Sequence, residues 1–104
     1  MNYTISENRL VKLVEKLVHQ VFPKFNKEDT EVMTWSNGDE TYFEYFDKVK
    51  GGRPFAKYYP WKSELILHED IFFTLQDYLG DELMTVIIDW FNGEFEQDAE
   101  SINY

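Results

Sequence analysis

Apolar residues recur at helical spacing over the first fifth of the chain and at strand spacing through its middle. Leu10, Val11, Leu13, Val14, Leu17, Val18, Val21 and Phe22 fall within one half of a helical wheel. Asn8, Arg9, Lys12, Glu15, Lys16, His19 and Gln20 fill the other half, which predicts an amphipathic helix. Thr4 and Glu7 have the spacing of a capping box, in which each side chain meets a backbone N–H that the first turn leaves open. Pro23 stops the helix, because its ring clashes with the preceding turn and it carries no N–H. Lys24–Asp29 reads as a polar connection.

From Thr30 the alternation shortens to two, the period of a strand. Asn37-Gly38 tolerates the positive φ of a type I′ turn and is expected to join Thr30–Ser36 to Asp39–Lys50. Gly51-Gly52 is expected to turn the chain again into Arg53–Tyr59. With two-residue loops, Met33 would pair with Tyr42, Val32 with Phe43, Tyr45 with Tyr58 and Phe46 with Lys57. One sheet face then holds Val32, Thr34, Thr41, Phe43, Tyr45, Asp47, Val49, Ala56 and Tyr58. That face carries a single charge and should meet the core. The opposite face carries Met33, Trp35, Tyr42, Phe46, Phe55 and Tyr59, interleaved with Glu31, Glu40, Glu44, Lys48 and Lys57. Pro60-Trp61 breaks the strand, and Glu64–His68 has the pattern of a short fourth one.

Two further helices are expected. Asp70 would cap Ile71–Leu79, and Gly80-Asp81 would end that helix and cap Glu82–Asn92, with Gly93 as its stop. Leu83, Met84, Val86, Ile87, Ile88, Trp90 and Phe91 spread over a wide arc of the last helix, more than a surface helix needs. That arc favours a place at the centre of the core, with a contribution to an oligomer interface as the other use. Helix, four strands and two helices give an α+β domain of order αββββαα spanning residues 1–93, with an acidic tail at 94–104 expected to fray.

Composition narrows the picture. The chain has 104 residues, 18% of them aromatic, which is too many for a disordered acidic protein. It has no cysteine, so stability must come from packing, with no disulfide or Cys-ligated metal. The N-terminus is polar and no apolar run is long enough to span a membrane, so the expectation is a soluble, cytoplasmic protein.

The net charge of −10 is unevenly placed. All ten Lys and Arg lie at or before Lys62, and the eleven Asp and Glu from Glu64 onward have no cation among them. A charge division of this kind bears on partners rather than fold.

Three features are candidates for chemistry. The aromatic sheet face, with Phe73 pointing off the second helix, could form a contact surface: Met33, Trp35, Tyr42, Phe46, Phe55, Tyr59 and Phe73. The exposed carboxylates Asp77, Asp81, Glu82 and Asp89 could meet a basic surface. His68-Glu69-Asp70 is the one cluster with acid–base potential, but one imidazole and its neighbours fall short of a ligand set or a catalytic group. His19 sits on the polar face of the first helix.

These features favour a small non-catalytic interaction or regulatory protein, without cofactor or metal, that self-associates as a dimer. An acidic nucleic-acid mimic that blocks a DNA- or RNA-binding protein is the alternative, and it would need a basic protein partner. A second alternative is single-stranded nucleic-acid binding through the aromatic face, aided by the five cations between Lys48 and Lys62.

Overall fold

A computed structural model describes the backbone from Asn2 to Tyr104 and the side chains from Lys12 onward. The Thr4–Glu7 capping pair and the apolar positions Leu10 and Val11 lie outside the described side chains. The elements are α1 (Asn2–Val21), β1 (Thr30–Asn37), β2 (Glu40–Asp47), β3 (Gly51–Tyr59), β4 (Glu64–Leu67), α2 (Glu69–Leu79), α3 (Leu83–Phe95) and β5 (Ser101–Asn103). They form an α+β domain around one sheet of order β1-β2-β3-β4-β5. The first four strands are antiparallel neighbours, and β5 lies parallel beside β4.

Both hairpins close two residues away from the expected register. Asn37 pairs with Glu40, which sets Met33 opposite Glu44 and Trp35 opposite Tyr42. Gly38 has φ 65° and is the first central residue of the turn, while Asp39 keeps a negative φ. This is the type II′ arrangement, which asks for glycine at that first position. The second turn is Lys48–Lys50, not Gly51-Gly52, and Tyr45 therefore pairs with Ala56 rather than Tyr58. Its cause is Asp47, whose carboxylate accepts the N–H groups of Val49 and Lys50, each at 2.9 Å. Val49, expected on the core face, falls in that turn and is exposed. A slip of two residues otherwise keeps the parity of the strands, and Tyr45, Ala56 and Tyr58 stay on their expected face.

That face is the core side. Tyr45, Ala56, Tyr58, Leu65 and Leu67 bury against Val14 and Val18 of α1, Ile71 and Leu75 of α2, and Leu83, Val86, Ile87, Trp90 and Phe91 of α3. Five residues of the wide apolar arc of α3, Leu83, Val86, Ile87, Trp90 and Phe91, are thus spent in the core, while Met84 stays exposed. Phe95 completes the packing, its ring 4.7 Å from Tyr45, 5.2 Å from Phe91 and 5.7 Å from Phe25. This explains why α3 runs through Gly93, the expected stop: the extra turn delivers Phe95 to the cluster, and packing outweighs glycine's low helix propensity. The helix ends at Glu96, which takes the left-handed conformation.

Two expected caps also move. Nδ1 of His68, not Asp70, caps α2 by accepting the Asp70 N–H at 3.1 Å. Asp81 lies in a 3₁₀ turn, Gly80–Glu82, and caps nothing by its side chain.

The segment after Glu94, expected to fray, is instead tied down. Asn92 Nδ2 donates to the Ala99 carbonyl at 3.0 Å, and its Oδ1 accepts the Ala99 N–H at 2.8 Å. Ala99 is buried, and Ile102 of β5 packs against the core. Both Glu100 and Ser101 donate their N–H to the Ser63 carbonyl. The Asn92 amide acts as a two-bonded bridge between helix and tail, a role its place on the polar stripe of α3 does not reveal.

Replacing Asn92 with Ala should cost about 1–3 kcal/mol, because it leaves a buried amide and carbonyl without partners. Thermal unfolding measures the loss, and limited proteolysis should cut the tail of the variant first. A melt and a digestion pattern equal to the parent's would show that the bridge does not hold the tail.

Candidate interaction surface

Because α1, α2 and α3 contribute their buried residues to the same side of the sheet, the other face has no helix packed on it among the described residues. Tyr42 of β2 and Tyr59 of β3 stack across it, ring centres 5.1 Å apart. Trp61 meets Tyr59 edge-on at 6.5 Å. The Lys62 ammonium lies over both rings, 4.8 Å from Tyr59 and 5.1 Å from Trp61. Trp35, opposite Tyr42 in the register, extends this aromatic row to the sheet edge and is 44% exposed. Met33 stands beside it, also exposed. Phe46 lies on the same face, opposite Glu31, and is half-buried.

Two cations beside the aromatic row have partners. Lys57 pairs with Glu44 at 3.7 Å across β2 and β3, and Lys62 pairs with Glu64 at 3.1 Å. Such pairs are weak in stability terms but neutralise the field that would draw in a phosphate backbone.

Two residues assigned to the surface lie elsewhere. Phe55 stacks on Phe25 at 5.0 Å and belongs to the core. It lies opposite the stretch where the β2–β3 register slips, between Tyr45 and Asp47, and a bulge of this kind twists the strands and re-aims side chains. Phe73 is exposed but sits on α2, where Tyr104 packs against it at 4.7 Å and against Phe72 at 4.6 Å. It forms a separate patch with the chain's last residue, away from the sheet face.

Trp61, 52% exposed, is a member that sequence reasoning missed; Pro60 marked it only as a strand breaker. Ile66 of β4 likewise shares the uncovered face and lines a small groove with Lys57 and Tyr59. Its signal was available, since it alternates with the buried Leu65 and Leu67. Val32 presents the opposite case. Its position puts it on the core side, yet it is 47% exposed, because the helices do not reach the outer part of β1.

The acidic candidates Asp77, Asp81, Glu82 and Asp89 are all exposed, with no ion pair among the described residues. His68 is occupied as a cap: its Nδ1 accepts a backbone N–H, and its Nε2 lies 3.4 Å from Arg53 Nη1. An open cleft of about 450 Å³ between α1, the Phe25 loop and α3 includes His19, Glu15 and Glu94 in its lining. Glu94 is already engaged there, accepting the Lys27 N–H at 2.9 Å. Among the described residues no group of three His, Asp or Glu could hold a metal ion, and no helix is long and apolar enough to cross a membrane.

Among the described residues, three groups have displaced proton affinities. Burial pushes the Tyr45 phenol up to about 12, against a weaker opposing hydrogen bond from Gln97 at 3.3 Å. Burial raises Tyr58 as well. Asp47 is lowered by the two backbone N–H groups it accepts in the Lys48–Lys50 turn. Tyr45 and Tyr58 lie in the core, and Asp47 holds the turn.

No known protein family, curated protein or solved structure matches the chain.

Tyr45 makes the domain sensitive to alkali in a defined window. Its ordinary value is 10.0 and its folded value about 12, so its share of stability is complete below pH 10. Between those values the unfolded phenol ionises while the folded one keeps its proton, and stability falls. Melting temperatures across that range should drop less steeply in Tyr45→Phe than in the parent. Parallel curves would mean that Tyr45 ionises in the folded state as it does in the unfolded chain.

Proposed function

We propose that this chain is a non-catalytic interaction protein whose working surface is the uncovered sheet face, and that it uses this face to pair with a second copy of itself. The carrying observation is the aromatic row Trp35, Tyr42, Tyr59 and Trp61, running across the first three strands with no helix over it among the described residues. A contiguous apolar patch of this kind marks an interface in soluble proteins. Aromatic side chains in such a patch contribute most of the affinity when they are buried by a partner. Two-fold pairing is the commonest way for identical chains to cover one face. The internal pairing of Lys57 and Lys62 favours a protein partner over single-stranded nucleic acid on this surface.

The second reading, an acidic mimic of nucleic acid, draws its support from Asp77, Asp81, Glu82 and Asp89, exposed on the helical side without ion pairs among the described residues. A mimic must be displaced from its partner by DNA or RNA. It must also lose affinity when Asp77, Glu82 and Asp89 are neutralised together.

Light scattering should give twice the 12.5 kDa chain mass at micromolar concentration. Trp35→Ala and Tyr59→Ala should each shift the population to monomer with little change in the monomer's melt. Phe91→Ala should instead unfold the domain, losing about 3–5 kcal/mol as a buried ring truncation. A parent that stays monomeric at high concentration would sink the self-association reading.

A further inference from the structure

The sheet has two unlike edges. β5 is three residues long, whereas β1 at the opposite edge has eight. Every residue of β1 from Glu31 to Asn37 is exposed. The phase of its ladder follows from Lys48, whose N–H bonds the Asp29 carbonyl at 2.9 Å. In an antiparallel pair the bonded positions alternate, so Glu31, Met33, Trp35 and Asn37 turn their backbone groups to β2. Thr30, Val32, Thr34 and Ser36 turn theirs outward. Proteins usually blunt such an edge with lysine, proline, a bulge or a covering segment. The β1 sequence contains neither lysine nor proline, and its eight pairs with β2 run without a register slip.

The surroundings of this edge are acidic. From Glu28 to Asp47 the chain carries seven Asp and Glu and no Lys or Arg. Two of them are engaged by cations from outside that segment, Asp29 by Lys24 and Glu44 by Lys57. Glu28, Glu31, Asp39 and Glu40 have no such partner among the described residues. Beside this charge stand Val32, Met33 and Trp35, all exposed. We propose that the free edge of β1 receives an extended, basic segment of another protein as a sixth strand of the sheet. The outward main-chain groups of Val32, Thr34 and Ser36 supply the ladder that holds it. Lys or Arg residues at alternate positions on the outer side of the incoming strand would lie one beside Glu31, drawn by its charge, and another beside the ring of Trp35, drawn by its π-face. An aliphatic residue on its other side would cover Val32. A second copy of this chain is the poorer occupant, because it would bring the same acidic hairpin against itself.

The probe is a synthetic eight-residue peptide of alternating Lys and Val, titrated calorimetrically into the full chain. Binding is expected, weakening with added salt as the exposed charges are screened. The matched Glu-Val peptide should not bind. Thr34→Pro deletes one outward N–H without touching a β1–β2 bond and should lower affinity about tenfold, the share of one hydrogen bond. A Lys-Val peptide N-methylated at alternate amides tests the same bonds with the protein unaltered, and it should lose binding. Equal affinity for the methylated and unmethylated peptides would reduce the effect to loose charge attraction and overturn the proposal. So would an edge already filled by a second copy, recognised as a dimer that Thr34→Pro dissociates and the peptide cannot enter. Face-to-face dimers that survive Thr34→Pro leave this test independent of the self-association reading.

Discussion

The packing of α3 against Tyr45, Tyr58 and Phe25 sets the sidedness on which everything else depends. Phe91 and Phe95 present rings to the sheet from one helix, and Trp90 meets Phe25 edge-on at 5.1 Å. Once that helix is seated, α1 packs on α3 and α2 fills the remaining flank, so the buried apolar residues of all three lie on one side of the sheet. A sheet needs only one apolar face to anchor a domain of this size. The other face is then released from structural duty, and the aromatic residues on it have no role in the core.

The division of labour was legible in the alternation of the strands and not in their loops. Tyr45, Ala56 and Tyr58 declare the inner face by period alone, and a two-residue slip could not disturb it. The turns depended on finer chemistry. A single carboxylate at Asp47 drew the second turn forward, and Gly38 chose the II′ form over I′. Phe55 escapes the pattern because strict alternation cannot foresee a bulge. The final strand was invisible for a different reason: Ser101–Asn103 has no pattern of its own, and its order comes from Asn92, Ser63 and β4. Trp61, on a turn after Pro60, carries no periodic signal at all, so its place in the surface row comes from three dimensions only.

Charge has a local as well as a global structure here. Lys57 and Lys62 meet carboxylates one strand and two residues away, which leaves the surroundings of the aromatic row near neutral. The acidic excess lies outside it, on the exposed sides of α2 and α3 and around the β1–β2 hairpin. An apolar face within an acidic perimeter separates two kinds of selectivity, contact by shape and approach by charge. The pairing of Lys57 and Lys62 is therefore informative less for the stability it adds than for the ligands it makes less welcome.

The Asn92 bridge also implies an order of events in time. The meander of β1 to β4 closes through short loops, and such local contacts form early because little chain entropy is lost in making them. The parallel β4–β5 pair has no such shortcut, since both helices lie between its strands. Its docking sites, Asn92 on α3 and the Ser63 carbonyl beside β4, are brought together only after α3 has packed. The last strand therefore acts as a latch that closes on a finished core, and its release is the expected first step of unfolding.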